Sequence, residues 1–284
     1  MQIRARAPVR FCDLGGWTDT RVVPRGAVLN FAARLYTYVT LTIREGQSGI
    51  TLESLDTDER VHFHDVRRVE YNGVLDLLKA AVARAGIVTH KSGLYSMRWE
   101  VKVQVRSEAP PASGLGSSAA LGVAAIGALS RYQGRHLLAQ EVARESQLLE
   151  VEDLKLESGV QDQLASACGG VSFMEVEYPK ARVLPVPLSP EVRFELEDRF
   201  VLVYTGKSHF STQMHQKVIA AFEAGEPATH AAFRTLADCA AQLAFIAAAK
   251  ASRSPRSSAS LPRTAARARS SKRPRCRSAS LITF

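Results

Sequence analysis

At 284 residues, 46% of them hydrophobic and 23% charged, the chain belongs with ordinary soluble globular proteins and is long enough for one large domain or two smaller ones. No apolar run reaches the ~18 residues of a membrane-spanning helix, and the Arg-rich start followed by Asp13 and Asp19 is unlike a signal peptide; a cytoplasmic protein with no membrane partner is expected. The net charge of +9 invites a nucleic-acid reading, but ten Lys or Arg and no acid fall in residues 250–284, which leaves −1 on residues 1–249. The basic segment is Ser, Arg, Ala and Pro without hydrophobic periodicity. It reads as disordered, and nonspecific attraction to RNA is the most its charge implies. Cys12, Cys168, Cys239 and Cys276 lack C-x-x-C spacing, which points to reduced thiols and no zinc site.

In chain order, residues 3–11 read as a strand and 13–19 as a turn rich in Gly, Thr and Asp. Residues 27–43 carry two β-rich runs, and 50–55 and 60–64 look like further strands, together predicting a mostly antiparallel sheet. Apolar residues at helical spacing mark 73–85 as a helix, and alternation marks 94–105 as a strand leading into a glycine loop. Residues 119–129, apolar nearly all round, predict a buried helix, and 137–153 an amphipathic, more acidic one. A short helix at 160–168 ends at Gly169-Gly170. Strands follow at 171–176 and 200–204, then helices at 211–222 and 227–248. The expected class is α+β, with helices on one face of the sheet.

The glycine loop, Pro110-Pro111-Ala112-Ser113-Gly114-Leu115-Gly116-Ser117-Ser118-Ala119-Ala120, joins a strand to an apolar helix through glycines and hydroxyls. Glycines allow close backbone approach, and the N–H groups and dipole of a helix starting near Ser117 favour phosphate. A Walker loop is excluded because no Lys stands there. The dinucleotide fingerprint fits loosely, but two prolines intervene after the strand and a helix follows where a second strand should be. A helix start packed closely on a sheet would use the same residues.

Four more residues are of the types that phosphoryl transfer needs: Arg10 before the first turn, Asp19 at its close, Glu150 on the acidic helix, and Asp162 in a first helical turn. Each has an ordinary reading. Arg10 could pair with Asp13, Trp17 could be packing, Glu150 is one acid among Glu145, Glu152 and Asp153, and Asp162 suits a helix dipole.

Together these stretches resemble the GHMP kinases, the family of galactokinase, homoserine kinase, mevalonate kinase and phosphomevalonate kinase. The resemblance covers roughly residues 4–220. Residues 7–20 (APVRFCDLGGWTDT) resemble the first motif in its sugar-kinase form, residues 110–120 the phosphate loop, and Gly159-Val160-Gln161-Asp162-Gln163 the segment bearing the catalytic aspartate. The Gly-Gly-Trp-Thr-Asp-Thr run is most similar to fucokinases, and the stretch from Gly159 through Cys168-Gly169-Gly170 to heptose-7-phosphate kinases; galactokinases usually show Gly-Glu-His at Gly15-Gly16-Trp17.

The resemblance implies an N-terminal domain like ribosomal protein S5 domain 2 over residues 1–195 and part of a ferredoxin-like domain over 196–249, followed by the disordered tail 250–284. It implies ATP and Mg²⁺ as cofactors and a free or phosphorylated aldose, fucose-like or a heptose 7-phosphate, as the acceptor at its anomeric hydroxyl. Pro111, Ser113, Gly114, Leu115, Gly116, Ser117, Ser118 and Ala119 would wrap the phosphates, and Ser118 and Glu150 would hold Mg²⁺. Asp162 would contact the acceptor hydroxyl with Arg10 beside it, while Trp17, Thr18 and Asp19 would bind the sugar. The family's third, Gly-rich motif has no counterpart, and the abrupt change after Lys250 reads as out-of-frame sequence, with a natural extension as the alternative; weak nucleotide binding and little turnover are expected. The alternatives are a kinase of a non-sugar alcohol, which the Trp17-Thr18-Asp19 turn disfavours, and a non-catalytic nucleotide- or RNA-binding protein, for which the tail alone speaks.

Overall fold

The computed structural model describes residues 1–46, 48–87, 89–91, 97–204, 206 and 211–252; the basic tail from 253 onward lies outside the described residues. It is a mixed α/β fold built on one large sheet with the strand order β4-β3-β6-β2-β7-β8, β1 pairing with β2 on its other side. The strands are β1 (Gln2–Leu14), β2 (Gly26–Glu45), β3 (Gly49–Ser54), β4 (Glu59–Phe63), the two-residue β5 (His90–Lys91), β6 (Met97–Ser107), β7 (Val171–Glu177) and β8 (Lys180–Pro185). All neighbours are antiparallel except β3 and β6.

The two β-rich runs expected at 27–43 are one 20-residue strand, β2. Its first half pairs with β7 (Leu29 opposite Phe173) and its second with β6 (Leu41 opposite Val103). Its length lets it organise the whole sheet. β1 pairs with residues 29–42 of it, with register breaks between Pro8 and Arg10 and between Cys12 and Leu14. Such irregularities bend a strand and re-aim its side chains.

The helices are α1 (Asp76–Arg84), α2 (Ser117–Tyr132), α3 (Ala139–Leu148), α4 (Gln161–Cys168), α5 (Pro190–Arg199), α6 (Ser211–Glu223) and α7 (Pro227–Ser252). The α2 sequence is Ala-rich and apolar around its circumference, and the helix is accordingly buried on most sides, packing on β1, β2, α1, α3 and α4. Leu41, Leu52, Val103, Leu78 and Leu129 fill the main core between the sheet and α1 and α2. A Cβ at Gly122 would lie 2.3 Å from the Ser146 hydroxyl, so a glycine is what lets α2 and α3 approach this closely. A second cluster, Val28, Ala143, Val160, Leu164 and Met174, joins α3 and α4 to β2 and β7.

Two stretches differ from expectation. Residues 200–204 form no strand: Val201 makes an isolated bridge, Phe200 packs 5.4 Å from Phe11 and 6.1 Å from Phe31, and Val203 is 75% exposed. The β-prone side chains there find ring partners rather than a neighbouring strand. Between β7 and that point lie β8 and α5, the latter opened by Ser189, whose hydroxyl accepts from Val192 N, and by Pro190 in its first turn. At the C-terminal end α7 packs on β2, with Ala240 and Ala244 buried, and its Phe233 ring lies 5.0 Å from Phe222 of α6. No helix among the described residues is long and apolar enough to cross a membrane.

Candidate active site

The glycine loop bends through left-handed backbone at Ala112 (φ 54°), Gly114 (φ 77°) and Gly116 (φ 67°) before α2 begins at Ser117. Gly116, the residue before the helix, offers no side-chain cap, so the first N–H groups of α2 face outward from the loop. The Ser113 hydroxyl is buried without a hydrogen-bond partner, a donor such a loop holds in reserve.

Arg10 stands where β1 breaks register, and the break turns its guanidinium toward this loop. Its Nε and Nη2 donate to the two Asp162 carboxylate oxygens at 2.8 and 2.6 Å, a bidentate fork. Its Nη1 donates to the Gly114 carbonyl at 2.9 Å, and its backbone N–H donates to the Leu115 carbonyl, also at 2.9 Å. A Cβ at Gly116 would meet Arg10 at 3.2 Å and the Asp162 carboxylate at 3.4 Å. Residues 152 positions apart in sequence are thus clamped against one loop. The other reading of Arg10, a pairing with Asp13, falls on a side chain outside the described ones.

Glu150 sits in a π-helical turn, Leu149–Asp153, that continues α3. Such turns insert one residue into a helix and are frequent at functional sites. Arg84 holds the turn from outside through Glu152 and Asp153 at 2.7 and 2.8 Å. The Glu150 carboxylate accepts from Ser158 Oγ at 2.5 Å and Gln163 Nε2 at 2.9 Å, and is hydrogen-bonded to the Ser118 side chain. Burial pushes its pKa up, the nearby Asp162 charge pushes the same way, and the hydrogen bonds oppose them. Glu150 is therefore an inward residue of the site, unlike Glu145 and Glu152, which face Arg135 and Arg84. Gln163 Oε1 beside it is buried and unpaired.

The turn after β1 packs inward at Thr18 and Asp19. Thr18 is fully buried, its hydroxyl donating to the Gly15 carbonyl at 2.7 Å and accepting from Ala27 N at 3.1 Å. The approach is close enough that a Cβ at Gly15 would lie 1.9 Å from the Ala27 carbonyl oxygen. Asp19, expected at the sugar, is 2% exposed and engages the start of α4. Trp17, in left-handed backbone (φ 75°), remains partly exposed. Arg21 just beyond ties the turn to Glu157 and to Glu223 of α6 at 3.0 and 2.7 Å.

Arg10, Asp162, Ser118, Glu150 and the glycine loop therefore converge, whereas Thr18 and Asp19 lie inside the fold behind them. Ser158, Gln161 and Gln163 were not singled out as site residues. Polar residues flanking an acid at a helix start are the one sequence signal they carry. A cleft of about 370 Å³ between α1, α2 and α3, lined by Arg84, Leu129, Gln133, Arg135 and Arg144 among others, lies at the far end of α2 from the loop.

Residues 76–170 match the GHMP kinases N terminal domain. The chain is 33% identical over 208 residues to the D-glycero-alpha-D-manno-heptose 7-phosphate kinase of Campylobacter jejuni, covering 72% of this chain and 59% of that protein. It is 29% identical over 234 residues to the bifunctional fucokinase/GDP-fucose pyrophosphorylase of Arabidopsis thaliana, covering 76% of this chain and 21% of that one. The chain thus spans about three fifths of the length of the first relative and about one fifth of the second. A solved D-glycero-D-manno-heptose 1-phosphate kinase from Bacteriodes thetaiotaomicron superposes with a TM-score of 0.64 at 24% identity, over 88% of this chain and 74% of that one, a likeness of fold. The phosphate-loop, Glu150 and Asp162 segments all lie within the matched residues 76–170, and the chain carries a GHMP kinase N-terminal domain.

Proposed function

We propose that this chain is the nucleotide- and acceptor-binding part of an ATP-dependent sugar kinase that phosphorylates the anomeric hydroxyl of an aldose, either a heptose 7-phosphate or a fucose-like sugar. The observation that carries this reading is the Arg10 bridge. One guanidinium pairs with Asp162 and also anchors Gly114, so a group at the glycine loop and a group at Asp162 would meet across a few ångströms. Similarity to a heptose 7-phosphate kinase and a fucokinase supports the acceptor class.

On this reading residues 111–119 cradle the ATP phosphates through backbone N–H groups and the Ser113, Ser117 and Ser118 hydroxyls. Ser118 and Glu150 would hold Mg²⁺. The donors fit a hard cation: a hydroxyl and a buried carboxylate, with the unpaired Gln163 Oε1 beside them. Bound there, Mg²⁺ would neutralise charge on the phosphates. Asp162 accepts the hydrogen bond of the acceptor hydroxyl and orients its oxygen toward the γ-phosphorus; as the new O–P bond forms, the bond to ADP breaks and the hydroxyl proton passes to Asp162. Arg10 keeps that carboxylate in place and offers positive charge to the transferring group. Trp17, partly exposed on the β1 turn, would meet a sugar ring.

We place the end of the nucleotide-binding domain at residues 186–189, between β8 and α5, rather than at 195, which falls inside α5. The remaining helices would belong to the partial acceptor-side domain. Binding is the primary readout. Thermal denaturation with a nonhydrolysable ATP analogue tests the reading: heptose 7-phosphate or fucose should raise the Tm further. Protection by mevalonate or homoserine, with none by any aldose, would overturn it.

A further inference from the structure

The helix that carries Asp162 has no cap of its own. α4 is eight residues long, and Val160 at its start supplies no side-chain hydrogen bond to the first turn. A helix this short is not stable in isolation, so its start must be held by something else. The structure shows what holds it. Asp19 Oδ2 accepts from the backbone N–H groups of Val160 and Gln161 at 2.9 and 3.0 Å, and Oδ1 accepts from Gln161 Nε2 at 3.0 Å. This is the work of a capping residue, done by a side chain 141 positions away in sequence.

The surroundings are built for that contact. A Cβ at Gly159 would lie 1.9 Å from Asp19 Oδ2 and 2.6 Å from its Cγ, so the carboxylate occupies space that any other residue at 159 would take. The Gln161 side-chain oxygen Oε1 accepts in turn from Asn30 Nδ2 at 3.2 Å, Asn30 lying on a wholly buried part of β2. Thr18 fastens the turn from which Asp19 projects. The chain of contacts therefore runs from the sheet and the β1 turn to the residue immediately before Asp162, whose own carboxylate meets Arg10.

We propose that Asp19 is a positioning residue for Asp162: it supplies from the β1 turn the cap that α4 lacks and, with Gln161 and Asn30, sets the helix start that presents Asp162 to Arg10 and the glycine loop. The inference rests on the reading of Asp162 as the acceptor-facing carboxylate. It assigns Asp19 no contact with the acceptor. Loss of Asp19 then acts on the chemical step and leaves acceptor binding little changed, whereas loss of a direct sugar contact would act on acceptor binding.

Hydrogen exchange and phosphotransfer kinetics on the full chain test this together. In Asp19→Ala the amides of Val160 and Gln161 should exchange at least about 10-fold faster, while those of the β2–β6 ladder keep their protection. The kcat should fall about 10-fold or more with the acceptor KM within about two-fold. Asp19→Asn should rescue both readouts, because its Oδ1 can accept from the same two N–H groups and its Nδ2 can donate to Gln161 once the Gln161 and Asn30 amides turn over. Gly159→Ala should speed the same two amides in the wild-type background and have little further effect on top of Asp19→Ala, since the two changes break one contact. Unchanged exchange at Val160 and Gln161 in Asp19→Ala, or in Gly159→Ala should the first variant not fold, would overturn the proposal. So would a raised acceptor KM at wild-type kcat. A wild-type chain that transfers phosphate to no aldose would count against the proposed function, while the exchange data would still judge the cap.

Discussion

Leu41, Leu52, Val103 and Leu129 are sealed between the sheet and α2, each 2% exposed or less, whereas Leu243, Phe245 and Ile246 on α7 stand 37, 76 and 49% open. The first region buries its apolar residues against partners supplied by the sheet and by α1–α4. The second lays one face of α7 on β2 and leaves much of the rest uncovered, along with Val201 and Val203 nearby. Every residue assigned to the candidate site belongs to the first region. The difference teaches that the site's geometry is carried by the closed body, and that α5–α7 add contacts such as Arg21 with Glu223 without shaping the Arg10–Asp162 pair. Substitutions in the two regions should therefore fail in different ways.

The largest effect is expected inside the closed core. Val103→Asp would place a carboxylate, without a partner, at a position 1% exposed, at a cost above about 4 kcal/mol. Loss of the cooperative urea transition is the expected result; a transition at the wild-type midpoint would mean that this core is not what holds the body together. Next comes the site on the rim of that body. Asp162→Asn should lower kcat by about 10²-fold or more while nucleotide affinity stays within about two-fold, and near-normal kcat would remove Asp162 from the mechanism.

Smaller still is a pH effect that only a closed region can produce. Burial raises the Asp19 pKa above its ordinary 3.8, with the Asp162 charge adding to the rise and the Gln161 and Val160 N–H groups opposing it. The folded state then keeps its proton to higher pH than the unfolded state does. The Asp19 contribution is fully present below about pH 4 and is lost as pH rises through the folded pKa. Comparing Tm between pH 4 and 7, the decline should be shallower in Asp19→Asn than in the wild type; parallel curves would show that Asp19 does not titrate differently on folding. The smallest effect on stability belongs to α7. Phe245→Ser with Ile246→Ser should change unfolding free energy by no more than about 0.5 kcal/mol per site yet reduce self-association in light scattering. A large loss of stability would show that these side chains are covered in solution.

Much of this was legible in the sequence because it is local. Alternation in residues 3–11, 50–55 and 60–64, helical spacing in 73–85 and 119–129, and the Gly169-Gly170 stop are properties of a few consecutive residues, and the corresponding elements lie within a few positions of where these patterns put them. The glycine loop was legible for the same reason, since its residue types alone dictate a sharp bend ahead of a helix. Residues 200–204 misled because β propensity records a fit to a half-buried surface, and here Phe11 and Phe31 offered rings where a strand would have needed a neighbour.

What only the tertiary structure decided is which side chains face one another across the fold. Arg10 pairs with Asp162, 152 positions away, where a register break in β1 stands beside the loop. Glu150 and Glu152 look alike in sequence, but a π-helical turn sends the first inward to Ser158 and Gln163 and the second outward to Arg84. Asp19 has the residue type of a sugar ligand and the position of a helix cap. Composition and periodicity report how deeply a residue is buried; its partner is chosen by packing among elements more than a hundred residues apart, and no local pattern records that choice.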